Sequence, residues 1–593
     1  MKIWKYIVHL IRFRPQLYIA AFVLWALVHG LPLIAGLILR AIFDALSNNA
    51  NLYGPVGLLI GALVLVMLSR ACVLLFGFYA DFSFIFSVVA LLRKNTLKGI
   101  LQRPGALALN DSIGGAISRF RDDAKEIAEF CGWTADLIYR PAFAITALII
   151  MLLINVPLTL VIFIPMIIMT FVSNLAKQRI ETYRRASREI LGKVTGFIGD
   201  VFGAVETVKI NGAEEHMAAY LQTLNAKRQS LSIKETLFSE LLNTIFANTI
   251  GLGTGLILLL AVGAMQNGSF KVGDLALFIF YLSWLGEVTH FMGRLMARLR
   301  QAGVSFERVL ALQGASYDDL VQHGPIYHDE EEGKNPVLMA RQEPLQILEA
   351  KNLKYRYPSS HQGIDGISFS LPKGSLTVVC GRIGSGKTTL LRVLLGLLPK
   401  EEGSVYWNGS LIQKEDDFFL PPRTAYLPQA PHLFNDTLRQ NILLGWPDDE
   451  HNLKQALEQA VLDHDLAAME QGWETLIGAK GIEPSGGQKQ RIAAARMFIR
   501  KADLLVIDDM SSALDFHTEQ LLWERLQQTG GTFLVASTRP TVLQRADKIL
   551  LLQNGRLLDE GNLDELLERT TEMREVFTMS VREQKVGEGD EIR

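Results

Sequence analysis

The chain is short of cysteine, of net charge, and of charge inside its apolar runs. Its three cysteines, Cys72, Cys131 and Cys380, show no pairing or metal-ligand spacing, which excludes a disulfide scaffold or zinc module. They read as small buried residues. Lys plus Arg (59) nearly balance Asp plus Glu (61), giving a net charge of −2, so charge balance gives no sign of nucleic-acid binding. Met1-Lys-Ile-Trp-Lys-Tyr6 is followed by no small-residue cleavage site, so no secretory signal is expected. No Lys or Arg occurs from Ala41 to Ser69.

Apolar residues make up 49% of the chain, concentrated in the first half. A span needs about twenty mostly apolar residues. Six stretches qualify, near Leu17–Leu39, Val56–Ala80, Ile138–Ile154, Leu158–Leu175, Leu241–Met265 and Leu275–Arg294. Asn155-Val-Pro157 makes the third and fourth a tight hairpin. Basic residues mark the cytoplasmic side. They cluster at Arg93–Arg121 and Lys177–Lys193, whereas the expected outer loops carry only Lys271. Both termini are therefore expected in the cytoplasm of a multi-pass protein of the cell membrane. Met1–Pro15 is basic and amphipathic, suited to the inner membrane face. Few ionisable residues sit inside the spans; His29, Arg70, Asp81, Arg140, Glu287 and His290 should face a cavity or partner, or reach the interface where they lie near a span end. Phe76, Phe78, Phe82, Phe84 and Phe86 suit packing or lipid contact, with a cavity lining as the alternative. Residues 313–344, with Asp329-Glu-Glu-Glu332, read as a polar linker, and the chain after Thr571 as a charged tail that frays.

The second half opens a different chemistry. Gly381-Arg382-Ile383-Gly384-Ser385-Gly386-Lys387-Thr388 fits the phosphate loop G-x-x-x-x-G-K-[ST], with an apolar strand before it and a helix-forming run from Thr389 after it. Its glycines let backbone N–H groups face phosphate oxygens, and the helix aims its positive end at the same anion. Lys387 reaches the outer phosphates and Thr388 offers a hydroxyl to Mg²⁺. Downstream follow Gln429, then Ser485-Gly486-Gly487-Gln488, then the apolar run Leu504–Ile507 closed by Asp508 and Asp509, then Ser512-Ala-Leu-Asp515.

These motifs, in this order, resemble the nucleotide-binding domain of an ATP-binding cassette (ABC) transporter, over about Leu345–Leu567; with the membrane half the resemblance covers nearly the whole chain. It implies an all-α transmembrane domain (residues 1–312, six helices with long cytoplasmic extensions) followed by an α/β P-loop ABC ATPase domain (residues 345–593). The cofactors implied are ATP and Mg²⁺. Asp508 and Gln429 would attend the metal, Tyr357 would stack on adenine with Tyr355 as the fallback, and Ser485–Gln488 would cap ATP held by a second subunit. Coupling stretches are expected at Asp111–Arg119 and Val208–Glu215. The implied partners are a second half-transporter, the bilayer, and a lipid, amphipathic drug-like or peptide cargo for export. Uptake of a metal chelate or cofactor, and a non-transporting ATP-gated regulator, are the alternatives.

Three positions depart from the family pattern. The catalytic glutamate is Asp509, one methylene short, at a step where a positioned base is worth about 10²–10⁴ in rate. The switch histidine is Thr538. The leucine that opens the signature is Pro484. The resemblance implies that Asp509 and Thr538 would serve the chain's own nucleotide and the signature the partner's. The pattern fits the slow-site half of a heterodimer; a slow homodimer is the alternative.

Single cysteines in place of Gly268 and Arg119 test the topology. A membrane-impermeant thiol reagent applied outside should label the first and spare the second. Outside labelling at Arg119 would overturn the arrangement.

Overall fold

The computed structural model describes residues 2–47, 52–107, 113–314, 316–326, 343–358, 360–478, 481–510 and 514–590. Contacts divide the chain into two compact units, residues 1–99 with 111–326 and residues 100–110 with 327–593.

Among the described residues, six long helices build the first unit: α1 (Pro15–Ser47), α2 (Gly57–Leu101), α3 (Asp136–Ile154), α4 (Val156–Gly203), α5 (Glu214–Gln266) and α6 (Val272–Gln313). Each holds one expected span. α2, α4, α5 and α6 run for 45, 48, 53 and 42 residues, far beyond a bilayer's need. Asn155 breaks α3 from α4 and caps α4, its side chain accepting from the Leu158 N–H at 3.1 Å.

α6 packs along α1, α3, α5 and the helix Ala124–Trp133. Gly36 makes the α1 contact possible, because a Cβ there would lie 2.2 Å from Cε1 of Tyr281. The Tyr281 hydroxyl donates to Leu33 O at 2.6 Å. At the end of α1, Arg40 pairs with Asp274 at 2.7 Å, and the Gly273 N–H donates to Asp44 at 3.1 Å. α4 and α5 lie along one another around Ile190, Val194 and Leu224.

The intramembrane charges are mostly partnered. Arg140 lies 2.5 Å from Asp136, 3.9 Å from Glu287 and over the ring of Phe291. Arg70 donates to Val28 O and lies over Trp284. His29 bonds Trp25 O through Nδ1. The His290 side chain lies outside the described residues. Of the expected aromatics, Phe84 is buried, whereas Phe76, Phe78, Phe82 and Phe86 are exposed in the single chain.

The amphipathic N-terminus forms the helix Lys2–Ile11, part of whose apolar face packs on protein while Trp4 and Val8 stay exposed. Tyr6, Ile7 and Leu10 are buried with Phe84, Leu92 and Phe306. Several expectations need correction. Cys131 and Cys380 are buried as expected, but Cys72 is exposed. The tail does not fray at its start: residues Thr571–Asp590 are helical, with Met573 and Val576 in the core. The linker's acidic run lies outside the described residues, while Ser316–Ile326 packs on the first unit, burying Leu320 and Val321.

In the second unit the strands are β1 (Ile347–Arg356), β2 (Gly363–Pro372), β3 (Leu376–Cys380), β4 (Glu402–Trp407), β5 (Ser410–Leu411), β6 (Thr424–Leu427), β7 (Asp436–Thr437), β8 (Leu476–Ile477), β9 (Leu504–Asp508), β10 (Thr532–Ala536), β11 (Lys548–Gln553) and β12 (Arg556–Gly561). One sheet runs β12-β11-β3-β10-β9-β6, parallel except for β12; an antiparallel sheet runs β2-β1-β4-β5. Strands β3, β9 and β10 are buried at every position, as parallel strands covered on both faces should be. Each fully buried aliphatic side chain contributes about 1.5–3 kcal/mol.

The division between the units falls just before the first expected coupling stretch, Asp111–Arg119. Residues 100–110 belong to this second unit, with the Ala106 N–H donating to Leu397 O at 2.9 Å and Leu107 against the same core. They precede the expected stretch, of which Ile113–Ser118 is helical.

Gly36→Ala should overpack the α1–α6 seam and cost about 1–3 kcal/mol. Thermal unfolding of the detergent-purified protein reads this as a lowered melting temperature. An unchanged value would contradict the close approach of Tyr281.

Candidate functional site

Register assembles the site. β10 aligns Ala536 with Asp508 of β9 and with Val379 of β3, and β6 aligns Leu427 with Ile507. The segments leaving these four strands therefore emerge side by side at one carboxyl edge. They are the phosphate loop after Cys380, the Gln429 segment, the Asp508–Asp509 pair and the Ser537–Arg539 loop.

The phosphate loop is built as its glycines require. Gly381, Gly384 and Gly386 have φ of 147°, 82° and 103°, which disfavour a Cβ. At Gly381 a Cβ would also lie 2.2 Å from Leu552 O. Ile383 is fully exposed. The loop feeds helix α7 (Lys387–Leu394), whose N-terminus carries Thr388 and the buried Thr389. The Lys387 ammonium folds back to donate to Gly381 O at 2.6 Å and Arg382 O at 3.0 Å. Ser385 Oγ is buried with no hydrogen-bond partner. A ready cation, a helix N-terminus and an orphaned hydroxyl together fit a phosphate chain.

Asp508 closes β9 and accepts from Thr388 Oγ1 at 2.9 Å and from the Tyr426 hydroxyl at 3.3 Å. Asp509 follows in a left-handed conformation (φ 51°), its N–H donating to Ala536 O. Its carboxylate is hydrogen-bonded by the Gln429 side chain. Burial pushes both carboxyls above their usual range, opposed at Asp508 by Thr388 and Arg392, and at Asp509 by Arg539 and Lys387. Burial likewise lowers the Lys387 ammonium. The edge thus gathers Lys387, Thr388, Gln429, Asp508 and Asp509. Thr538 lies two residues past β10 on the same edge. Sequence reasoning missed Arg539, whose charge acts on Asp509; its place beside Thr538 was the available signal.

The signature stands differently. Ser485 caps helix α8 (Gly486–Phe498) in a reciprocal box with Gln488. Gln488 also donates to Asp465 at 2.8 Å, and Arg491 pairs with the same carboxylate at 2.6 Å. Ser485 and Gly486 are exposed, Gly487 partly so, and Pro484 is buried. Ser512 lies outside the described residues. The two tyrosines separate: Tyr355 is 4% exposed within the core, whereas Tyr357 is half-buried, its ring 5.0 Å from that of Tyr355. The geometry leaves Tyr357 as the accessible ring.

A phosphate loop facing a buried strand-end carboxylate defines a P-loop nucleotide-binding domain, here preceded by a six-helix membrane region. Residues 364–512 match the ABC transporter family model and residues 18–287 the ABC transporter transmembrane region. The chain belongs to the ABC transporter family, and these residues hold one membrane region and one cassette. It is 28% identical over 408 residues to heavy metal tolerance factor 1 of Caenorhabditis elegans (68% of this chain, 49% of that protein). It is 27% identical over 394 residues to the ATP-dependent lipid A-core flippase of Burkholderia orbicola (66% of this chain, 64% of that protein). The matches thus span about half to two thirds of these relatives' length. A bacterial Atm1-family ABC exporter solved with ATP bound shares the fold, with a TM-score of 0.76 at 21% identity, covering 95% of this chain and 98% of that one. An ABC ATP-binding domain implies that ATP binds here.

Tyr357→Ala should weaken ATP binding by about 1–3 kcal/mol if adenine stacks on it, as bases do on aromatic side chains elsewhere. Tyr355→Ala should instead lower the melting temperature, because it empties a core position. Fluorescent-nucleotide titration and thermal unfolding separate the two. Affinity that responds only at Tyr355 would move the assignment by two residues.

Proposed function

We propose that the chain is one half of an ATP-driven membrane transporter, with the exporter direction favoured. One observation carries this reading: Lys387, Thr388 and Asp508 meet at the sheet edge where α7 begins, in a chain whose other half is a membrane bundle. The phosphates would take Lys387 from the carbonyls it now rests on, and Gly381–Thr389 would wrap them. The oxygen donors of Thr388 and Asp508, 2.9 Å apart, suit a hard divalent cation. With Gln429 they would hold Mg²⁺, which when bound neutralises phosphate charge. Asp509, tied to Gln429, would orient the attacking water. Ser485, Gly486, Gly487 and Gln488, at the N-terminus of a 13-residue helix, would face the γ-phosphate of ATP on a second chain. Closure of two cassettes would then drive the membrane helices.

The second chain is proposed to be a different half-transporter. Asp509 is one methylene short and Thr538 lacks an imidazole, whereas Ser-Gly-Gly-Gln is complete. This chain's own site would hold ATP and turn over slowly, with faster hydrolysis where its signature meets the partner's loop. The membrane is read as the cell membrane, with both termini in the cytoplasm. The cargo is read as a lipid, an amphipathic compound or a peptide. The names of the relatives span heavy-metal tolerance and lipid A-core flipping, so they favour no single cargo.

The test is asymmetric mutagenesis in the native pair. Asp509→Asn should change ATPase turnover little, whereas Ser485→Arg should reduce it severely by filling the space of the partner's γ-phosphate. A chain that turns over robustly by itself and loses that activity on Asp509→Asn would sink the heterodimer reading.

A further inference from the structure

The C-terminal helix Thr571–Asp590 reaches the phosphate loop. Arg382, the loop's second residue, points its guanidinium at two carboxylates of this helix. Its Nε lies 2.7 Å from Glu572, and its Nη2 pairs with Glu575. Glu572 is largely buried and takes a further bond, from Gln553 Nε2 at 3.1 Å, at the end of β11. Glu572 is thus held from the sheet side as well as by the loop.

The same helix is fixed to the other side of the site. Met573 and Val576 are buried in the core cluster with Val542 and Leu543. Those two belong to the short helix Pro540–Leu543, against which the C-terminal helix packs. Pro540 directly follows Thr538 and Arg539. One rigid element therefore braces both the phosphate loop and the loop that carries the switch position.

The main chain of Arg382 makes this brace relevant to chemistry. Its carbonyl accepts from the Lys387 ammonium at 3.0 Å and from the Ser385 N–H at 3.1 Å. A side chain anchored by two carboxylates restricts the backbone that sets these two bonds. Loop order gained before the nucleotide arrives need not be supplied by binding.

We propose that Glu572 and Glu575 are positioning residues of the nucleotide site, acting through Arg382 to preorganise the phosphate loop. This rests on the reading that the loop binds ATP. A purely electrostatic role predicts a different pattern. Two carboxylates near the phosphates would repel ATP, so their removal would tighten binding while removal of Arg382 weakened it. Preorganisation predicts weakening by both, without additivity, since both changes break one link.

The experiment is titration of the purified full-length chain with a fluorescent ATP analogue, with thermal unfolding as the folding check. Glu572→Gln with Glu575→Gln should weaken binding about three- to five-fold, in keeping with the modest worth of a partly exposed ion pair. Arg382→Ala should do the same, the triple variant should be no weaker than either, and Arg382→Lys should recover most of the loss. Unchanged affinity, additive losses, or tighter binding in the glutamine pair would overturn the inference. Lys387→Ala separates the two levels. If it leaves affinity unchanged, the ATP reading fails and the inference with it. If it abolishes binding while the glutamine pair has no effect, the inference alone fails.

Discussion

The parallel register of β6, β9, β10 and β3 is the constraint on which the candidate site depends. The segments that meet there are far apart in sequence, from Cys380 to Arg539. Local bonds shape the phosphate loop, but no local turn brings it to the other three segments. What fixes them is that Leu427, Ile507, Ala536 and Val379 share adjoining rungs of one sheet, so the chain leaving each strand emerges at one edge. Strands β3, β9 and β10 are buried at every position, and a slip of one residue would turn every side chain to the wrong face. Packing of the core thus sets catalytic geometry, and the polar residues at the edge need only short side chains to meet.

Those polar residues sit where ionisation is costly. Burial lifts the carboxyls of Asp508 and Asp509 and depresses the ammonium of Lys387. Each is partly relieved by its neighbours: Thr388 and Tyr426 on Asp508, Gln429 and Arg539 on Asp509, and two loop carbonyls on Lys387. Opposite charges are therefore held close in a partly buried setting, a state that favours a ligand with dense negative charge and an accompanying cation. The backbone of Asp509 is tied into the same sheet edge, its N–H donating to Ala536 O.

Much of this was legible from sequence because glycine spacing and strand-end carboxylates report backbone chemistry directly. Gly381, Gly384 and Gly386 occupy conformations that suit glycine, so their pattern maps one-to-one onto the loop. The six helices were legible because bilayer length is a composition signal. Tertiary facts were not. Nothing in Arg382 announces a partner 190 residues away, and nothing in Tyr355 and Tyr357 says which ring is covered. Both depend on which side of a strand or helix meets its neighbour. Charge misled at the C-terminal end of the chain. The helix from Thr571 looks solvated in sequence but buries Met573 and Val576, whereas Lys2–Ile11 was legible as amphipathic and buries Ile7 and Leu10.

The membrane half shows why its helix partners resist sequence reading. Lipid is as apolar as a leucine side chain, so packing there selects for close fit and paired charge rather than for hydrophobic pattern. The α1–α6 seam follows this rule. Gly36 yields space for the ring of Tyr281, and Gly273 lies so near Arg40 O that a Cβ would sit 2.3 Å from it. Arg140 is held between Asp136 and the face of Phe291, joining α3 to α6 with its charge covered. Glu287, at 3.9 Å, shares the same guanidinium yet keeps its side chain 57% exposed in the single chain. A carboxylate left that open in an apolar setting needs water, a partner chain or a cation beside it. The seam is thus closed by sterics where Gly36 meets Tyr281, while Glu287 on the same helix α6 stays electrostatically open.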